Sequence, residues 1–244
     1  MKRIINWIPN LITLGNLTCG MMACWIAARN IPDHANLDTS QYDKWLYVAP
    51  ALFIFAAAIL DFIDGFAARL LKVHSELGKQ LDSLADVVSF GVAPSFIIIG
   101  YGFAGNYSMA GLLLGVFACV RLAKFNIDTR QSDSFLGLPV PSSGMVIASL
   151  PFIDTQGPLA FLVNPWVVLL LIGLLCGLMV SELPLLALKF KDYSLKNNIY
   201  RYLVLFIGLL ALVFFRFQAL PIVILGYVLV SVIAPKSGIK KTID

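Results

Sequence analysis

Long apolar runs separated by short polar links, most of them charged, make up the chain from end to end. A helix needs about 20 apolar residues to cross the hydrocarbon core of a bilayer, and several runs reach that length. Their limits predict helices over 8–28, 46–71, 79–103, 107–126, 141–154, 165–182, 199–215 and 218–234, the fifth being short. The first run follows Lys2 and Arg3, is interrupted by Asn10, Thr13, Asn16 and Thr18, and has no small-residue cleavage site. It reads as a retained helix and not as a signal peptide. There is no tandem repeat, low-complexity tract or stretch of soluble-domain composition. The expectation is an all-α polytopic membrane protein of about eight transmembrane helices, a single integral membrane domain over 1–244.

Composition agrees, with 59% hydrophobic and 13% charged residues against roughly 25% charged in ordinary soluble domains. The net charge of +4 is modest, and its placement says more than its size. One set of polar links carries Lys2, Arg3, Arg69, Lys72, Lys79, Arg121, Lys124, Arg130, Lys189, Lys191, Lys196, Arg201, Lys236, Lys240 and Lys241. The other carries Arg29, Lys44 and Arg216. The positive-inside rule then puts both termini and the basic links in the cytoplasm, and a bacterial-type inner membrane is the expected location. The acidic stretch from Asn30 to Asp43 is expected as a solvated outer loop. Loop 127–140, with Arg130, Asp133 and G-L-P-V-P, is expected on the cytoplasmic side, stiffened by Pro139 and Pro141. Cys19, Cys24, Cys119 and Cys176 lie in apolar runs without ligand spacing and read as small packing residues. His74 reads as solvated.

Against this background four carboxylates are out of place: Asp61, Asp64, Asp82 and Asp86. A carboxylate at the centre of a spanning helix costs roughly 2.5–3.5 kcal/mol on insertion scales, so it marks a functional site with a cationic partner. Residues three and four apart share a helix face. Asp61, Asp64, Gly65 and Ala68 therefore form one stripe with Arg69 beside it, and Gly78, Asp82 and Asp86 form another. If the two helices are neighbours, the carboxylates converge, and like charges that close disfavour one another. Hard divalent cations that favour oxygen ligands, Mg²⁺ or Mn²⁺, relieve that repulsion, and four carboxylates suit two ions. Gly65, Ala68 and Gly78 leave room for a ligand, and Arg69 offers a planar fork of donors suited to phosphate. Cations, phosphate donors and a membrane setting together point to phosphoryl-type transfer on a lipid, with a carboxylate to take the proton of an attacking hydroxyl.

The pattern D-x-x-D-G-x-x-A-R-x8-G-x-x-x-D-x-x-x-D, from Asp61 to Asp86, resembles the signature of the CDP-alcohol phosphatidyltransferases at all eight fixed positions over 26 residues. The neighbouring runs D-S-L-A-D-V-V-S-F-G-V-A-P, R-L-A-K-F-N and G-L-P-V-P are similar to the phosphatidylserine synthase branch, and the resemblance covers about the first 150 residues. It implies a core of six helices, with helices 199–234 accessory, and a homodimer. Asp61, Asp64, Asp82 and Asp86 would hold two divalent ions, with Asp61 and Asp82 bridging and Asp86 doubling as the base. Gly65, Ala68, Arg69 and Gly78 would accommodate the CDP moiety of CDP-diacylglycerol, while L-serine is the implied acceptor. No nucleic acid is expected beyond the CMP moiety.

Asn10 and Thr13, in P-N-L-I-T, are similar to a family pattern that touches the nucleotide; helix-to-helix hydrogen bonding would explain them equally well. Arg121 and Lys124 either satisfy topology or bind a serine carboxylate or a substrate phosphate. Ser83 is placed for an acceptor contact or for packing. Glycerol 3-phosphate or an inositol phosphate are alternative acceptors, although both would want more basic residues near Asp86. A divalent-cation or proton-coupled transporter is the reading from another class. Such proteins place the site near the midplane between repeated halves, and no second half echoes the acidic pair of helices here.

Overall fold

The computed structural model describes residues 7–29, 44–73, 75–127, 135–186 and 195–233. The acidic stretch 30–43, His74, the part of the Pro-rich loop carrying Arg130 and Asp133, and the basic residues of both termini lie outside the described residues. The protein is an all-α polytopic membrane protein. Its helices are α1 (Ile8–Arg29), α2 (Lys44–Leu71), α3 (Glu76–Gly100), α4 (Leu112–Ile127), α5 (Val140–Ala148), α6 (Pro165–Val180), α7 (Leu195–Phe215) and α8 (Leu220–Ile233). Among the described residues, five segments are long and apolar enough to cross a membrane: Ile8–Arg29, Trp45–Leu71, Glu76–Gly100, Gly105–Ile127 and Ile199–Ile233, the last formed by α7 and α8 across a 3₁₀ turn. The expected fifth helix is shorter than its apolar run, because Pro151 follows Ala148 closely and the chain tightens into a 3₁₀ turn over Leu150–Phe152.

Helix α1 shows why this sequence folds in lipid. It buries Asn10, Thr13, Asn16 and Gly20, at steps of three or four, and exposes Leu11, Leu14, Met21 and Trp25. A helix in water would bury the opposite face; in a bilayer the polar stripe must find partners inside the protein.

Helix α3 begins one turn earlier than its apolar run, at Ser75, whose side chain caps it by accepting from Gly78 N at 2.9 Å. Midway it widens into a π-helical segment, Val87–Val92, closed by Ala93 N donating to Val88 O. Pro94, in the first turn that follows, lacks an N–H and would crowd the carbonyl of Phe90; the wider turn ahead of it relieves both problems.

The π segment is the hub of the bundle, in contact with α1, α4 and α5, while α1 also lies along α2. Small residues let the backbones meet there. A Cβ on Gly20 of α1 would come within 2.8 Å of Ser89 Cα, and one on Gly144 of α5 within 2.8 Å of Phe90 Cα. Two-residue strands, β1 (Phe135–Leu136) and β2 (Pro184–Leu185), pair antiparallel with Phe135 opposite Leu185. They tie the link before α5 to the link after α6. Helix α8 closes over this pairing: Tyr227 Oη donates to Leu186 O at 2.8 Å and Leu186 N donates to Ser231 Oγ at 3.3 Å. At the opposite end Phe55, Phe152 and Phe217 stack, with ring centroids 4.8–6.0 Å apart, and fix the α7–α8 turn to the core.

Candidate active site

The site lies where α1 begins, α2 ends and α3 begins. Helix α2 has 28 residues, about 42 Å at 1.5 Å per residue, so it outruns a hydrocarbon core of about 30 Å and its last turns reach the headgroup level. It stops at Lys72, which takes a left-handed conformation (φ 53°), with Val73 N donating back to Ala68 O at 2.9 Å. Three residues later Ser75 starts α3, so the two acidic stripes face each other.

Asp61 and Asp64 of α2 and Asp82 of α3 each offer an oxygen within 4.8 Å of the others. Asp64 is held by Thr13 of α1, whose Oγ1 donates to Asp64 Oδ2 at 2.6 Å. Asp86, one turn deeper on α3, is 7% exposed and stands outside the tight group, within electrostatic reach of Asp61, Asp82 and Asp64. Three hard anionic donors this close, with a fourth behind them, fit a divalent cation and suit no apolar ligand.

A cavity of about 510 Å³ opens beside the triad. Asn10, Thr13, Gly65, Ala68, Arg69 and Gly78 all line it, together with Asp64 and Asp82. Pro9, Val73, Ser75, Glu76 and Lys79, none of them a site candidate from the sequence, also line it. Gly78 is there because nothing larger fits: a Cβ would come within 2.9 Å of both Asn10 Oδ1 and Ser75 Oγ.

The three acceptor candidates are not part of this cavity's lining. Arg121 is 8% exposed, lies over the Phe125 ring at 5.0 Å and feels the charge of Asp86. It thus belongs to the deeper, Asp86 side. Ser83 Oγ accepts from Asn126 Nδ2 at 2.8 Å, and Lys79 Nζ donates to Asn126 O at 3.3 Å, so Asn126 ties α4 to α3. Lys124 is exposed. Among the described residues, Arg69, Lys72, Lys79 and Lys124 gather at this end of the bundle and Arg29 and Arg216 at the other, as the charge bias of the links anticipates.

The sequence profile of the CDP-alcohol phosphatidyltransferases matches residues 6–179, which takes in α1 to α5, all but the last residue of α6, and every site residue above. The chain belongs to that family. This CDP-alcohol phosphatidyltransferase is 37% identical over 200 residues to a CDP-diacylglycerol–serine O-phosphatidyltransferase of Bacillus subtilis, covering 78% of this chain and 93% of the relative. A protein of the same name from Helicobacter pylori is 37% identical over 154 residues, 61% of this chain and 58% of its own length. An archaetidylserine synthase of Methanothermobacter thermautotrophicus is 36% identical over 157 residues, 61% of this chain and 60% of its own. Helices α7 and α8 lie beyond the family match.

Proposed function

We propose that this CDP-alcohol phosphatidyltransferase moves the phosphatidyl group of CDP-diacylglycerol to L-serine, giving phosphatidylserine and CMP. The observation that carries the chemistry is the meeting of the Asp61, Asp64 and Asp82 oxygens with a cavity lined by Arg69 and small residues. The choice of acceptor leans on the near full-length likeness to the Bacillus serine enzyme.

In this reading Asp61, Asp64, Asp82 and Asp86 hold two divalent cations, Mg²⁺ or Mn²⁺. Bound there, such ions neutralise phosphate oxygens and the charge that develops on the leaving group. Arg69 grips a phosphate of the donor through its planar fork, and Gly65, Ala68 and Gly78 let the nucleotide lie against backbone. Asn10 and Thr13 line the same nucleotide site. Asp86 takes the proton of the serine hydroxyl. As the serine oxygen bonds to the β-phosphorus, the bond from that phosphorus to the bridging oxygen breaks and CMP departs with the electron pair. Attack is direct and needs no covalent enzyme intermediate. Arg121, buried on the Asp86 side, is placed to receive the serine carboxylate; Ser83 and Lys124 lie further round α3 and α4. The end of the bundle that carries the site faces the cytoplasm of an inner membrane, and the protein works as a homodimer.

The test is CMP release by the purified protein in detergent with CDP-diacylglycerol and Mg²⁺ or Mn²⁺, with and without L-serine and with and without EDTA. Release that requires both serine and cation supports the proposal. Release with glycerol 3-phosphate or an inositol phosphate instead replaces serine as the acceptor. No release with any acceptor from folded, cation-binding protein favours a transporter.

A further inference from the structure

Among the described residues, three buried side-chain atoms have no hydrogen-bond partner: Asn16 Nδ2, Asn16 Oδ1 and Asp86 Oδ1. All three lie at one level of the bundle. Helices α1 and α3 run parallel away from the site, and two close approaches set their register. Asn10 meets Gly78 at the near end, and Gly20 meets Ser89 further in. Ser89 Oγ also donates to the backbone carbonyl of Asn16 at 3.1 Å. One turn back from Gly20 is Asn16, and one turn back from Ser89 is Asp86, so the two side chains stand opposite each other and the amide is close enough to bear on the carboxylate.

Asn16 is fully buried in a helix whose outer face is apolar. A polar side chain there that served only packing would bond a neighbouring backbone, as Thr18 and Ser95 do. An isosteric leucine would suit the setting better, since an unpaired buried amide is unfavourable. Among the described residues the other unpaired group is Asp86 Oδ1, and the amide lies within reach of that carboxylate.

We propose that Asn16 is a positioning residue for Asp86: its Nδ2 donates to Asp86 Oδ1 and fixes the carboxylate so that the other oxygen turns toward the cation site and the acceptor hydroxyl. An amide suits this task because it donates a hydrogen bond without surrendering its proton to the carboxylate. The inference rests on the reading of Asp86 as the base.

The experiment compares N16L, N16D and N16S with wild type in detergent, at saturating CDP-diacylglycerol and Mn²⁺, measuring kcat, KM for the acceptor, donor Kd and Tm. Loss of one hydrogen bond to a charged group is expected to lower kcat by about 10- to 100-fold in N16L and N16D, with donor Kd within about twofold. N16S keeps a donor at shorter reach and recovers several-fold over N16L. If N16L does not fold, the N16D and N16S pair carries the comparison. A kcat within about twofold of wild type in N16L or N16D overturns the proposal, and so does N16S no better than N16L or N16D, since the loss then comes from packing. Wild type that turns over no hydroxyl acceptor sinks the base reading and this inference together; active wild type with unaffected Asn16 variants sinks the inference alone.

Discussion

Thr13→Val exchanges a hydroxyl for a methyl and leaves the outline of the side chain nearly unchanged, so it isolates one hydrogen bond. In the wild type the single hydroxyl proton has two acceptors in reach, Asp64 Oδ2 at 2.6 Å and Pro9 O at 3.1 Å. The shorter contact has the length of an O–H···O⁻ bond and takes the proton. Asp64 is 5% exposed, so water does not readily replace the lost donor. A hydrogen bond to a charged group is worth about 1.5–3 kcal/mol. If all of it acts through the placing of Asp64 as a cation ligand, the cation binds about 10- to 150-fold more weakly at 1.36 kcal/mol per decade, in line with about 10- to 100-fold for partners that orient metal ligands. The assay is CMP release against free Mn²⁺ at saturating CDP-diacylglycerol and serine, with Mn²⁺ binding followed separately by electron paramagnetic resonance. The half-saturating Mn²⁺ should rise by one to two decades and kcat at saturating Mn²⁺ should recover to within about fivefold. An unchanged Mn²⁺ requirement with a raised donor Kd would refute the reasoning and leave Thr13 as a nucleotide contact only.

Asp86→Asn should lower kcat by about 10²- to 10⁴-fold, the usual worth of a general base, while CDP-diacylglycerol still binds; normal turnover would remove Asp86 from that role. Arg69→Lys keeps the charge and loses the fork, and donor Kd should rise about tenfold; an unchanged Kd counts against the phosphate contact. Gly144→Ala places a methyl 2.8 Å from Phe90 Cα, and overpacking of about 1–3 kcal/mol should show as a lower Tm; a Tm equal to wild type would mean that α5 and α3 are not in backbone contact. Tyr227→Phe removes the 2.8 Å bond to Leu186 O, about 0.5–1.5 kcal/mol, and should lower Tm slightly at constant kcat. A large loss of kcat would bring α8 into the catalytic machinery.

Much of this was legible in the sequence because the bilayer makes the code simple. The apolar runs locate the eight helices of the described residues, and the spacing of Asp61, Asp64, Asp82 and Asp86 puts them on stripes from which the fold gathers Asp61, Asp64 and Asp82, with Asp86 one turn deeper. The start of α3 was missed because an apolar criterion ignores Ser75, although its hydroxyl cap was there to be read. The π segment leaves no mark in hydropathy; only Pro94 hints at it. Asn16 was seen merely as an interruption, yet with Asn10 and Thr13 it continues one helix face. The β1–β2 pairing was out of reach, since two residues carry no period and their partner lies some 50 positions away in the chain. That Arg121 faces Asp86 and Lys124 faces outward follows from how α4 is rotated against the π segment, which is a tertiary fact.

Phe62, Phe66 and Leu70 of α2 and Leu77 and Leu84 of α3 all face outward on two of the three helices that wall the cavity. A donor can therefore keep its tails among neighbouring lipids while its nucleotide turns inward. Turnover then follows the number of donor molecules per unit of membrane area. Diluting the bilayer or micelle with inert amphiphile should slow the enzyme even when the donor present per millilitre is the same.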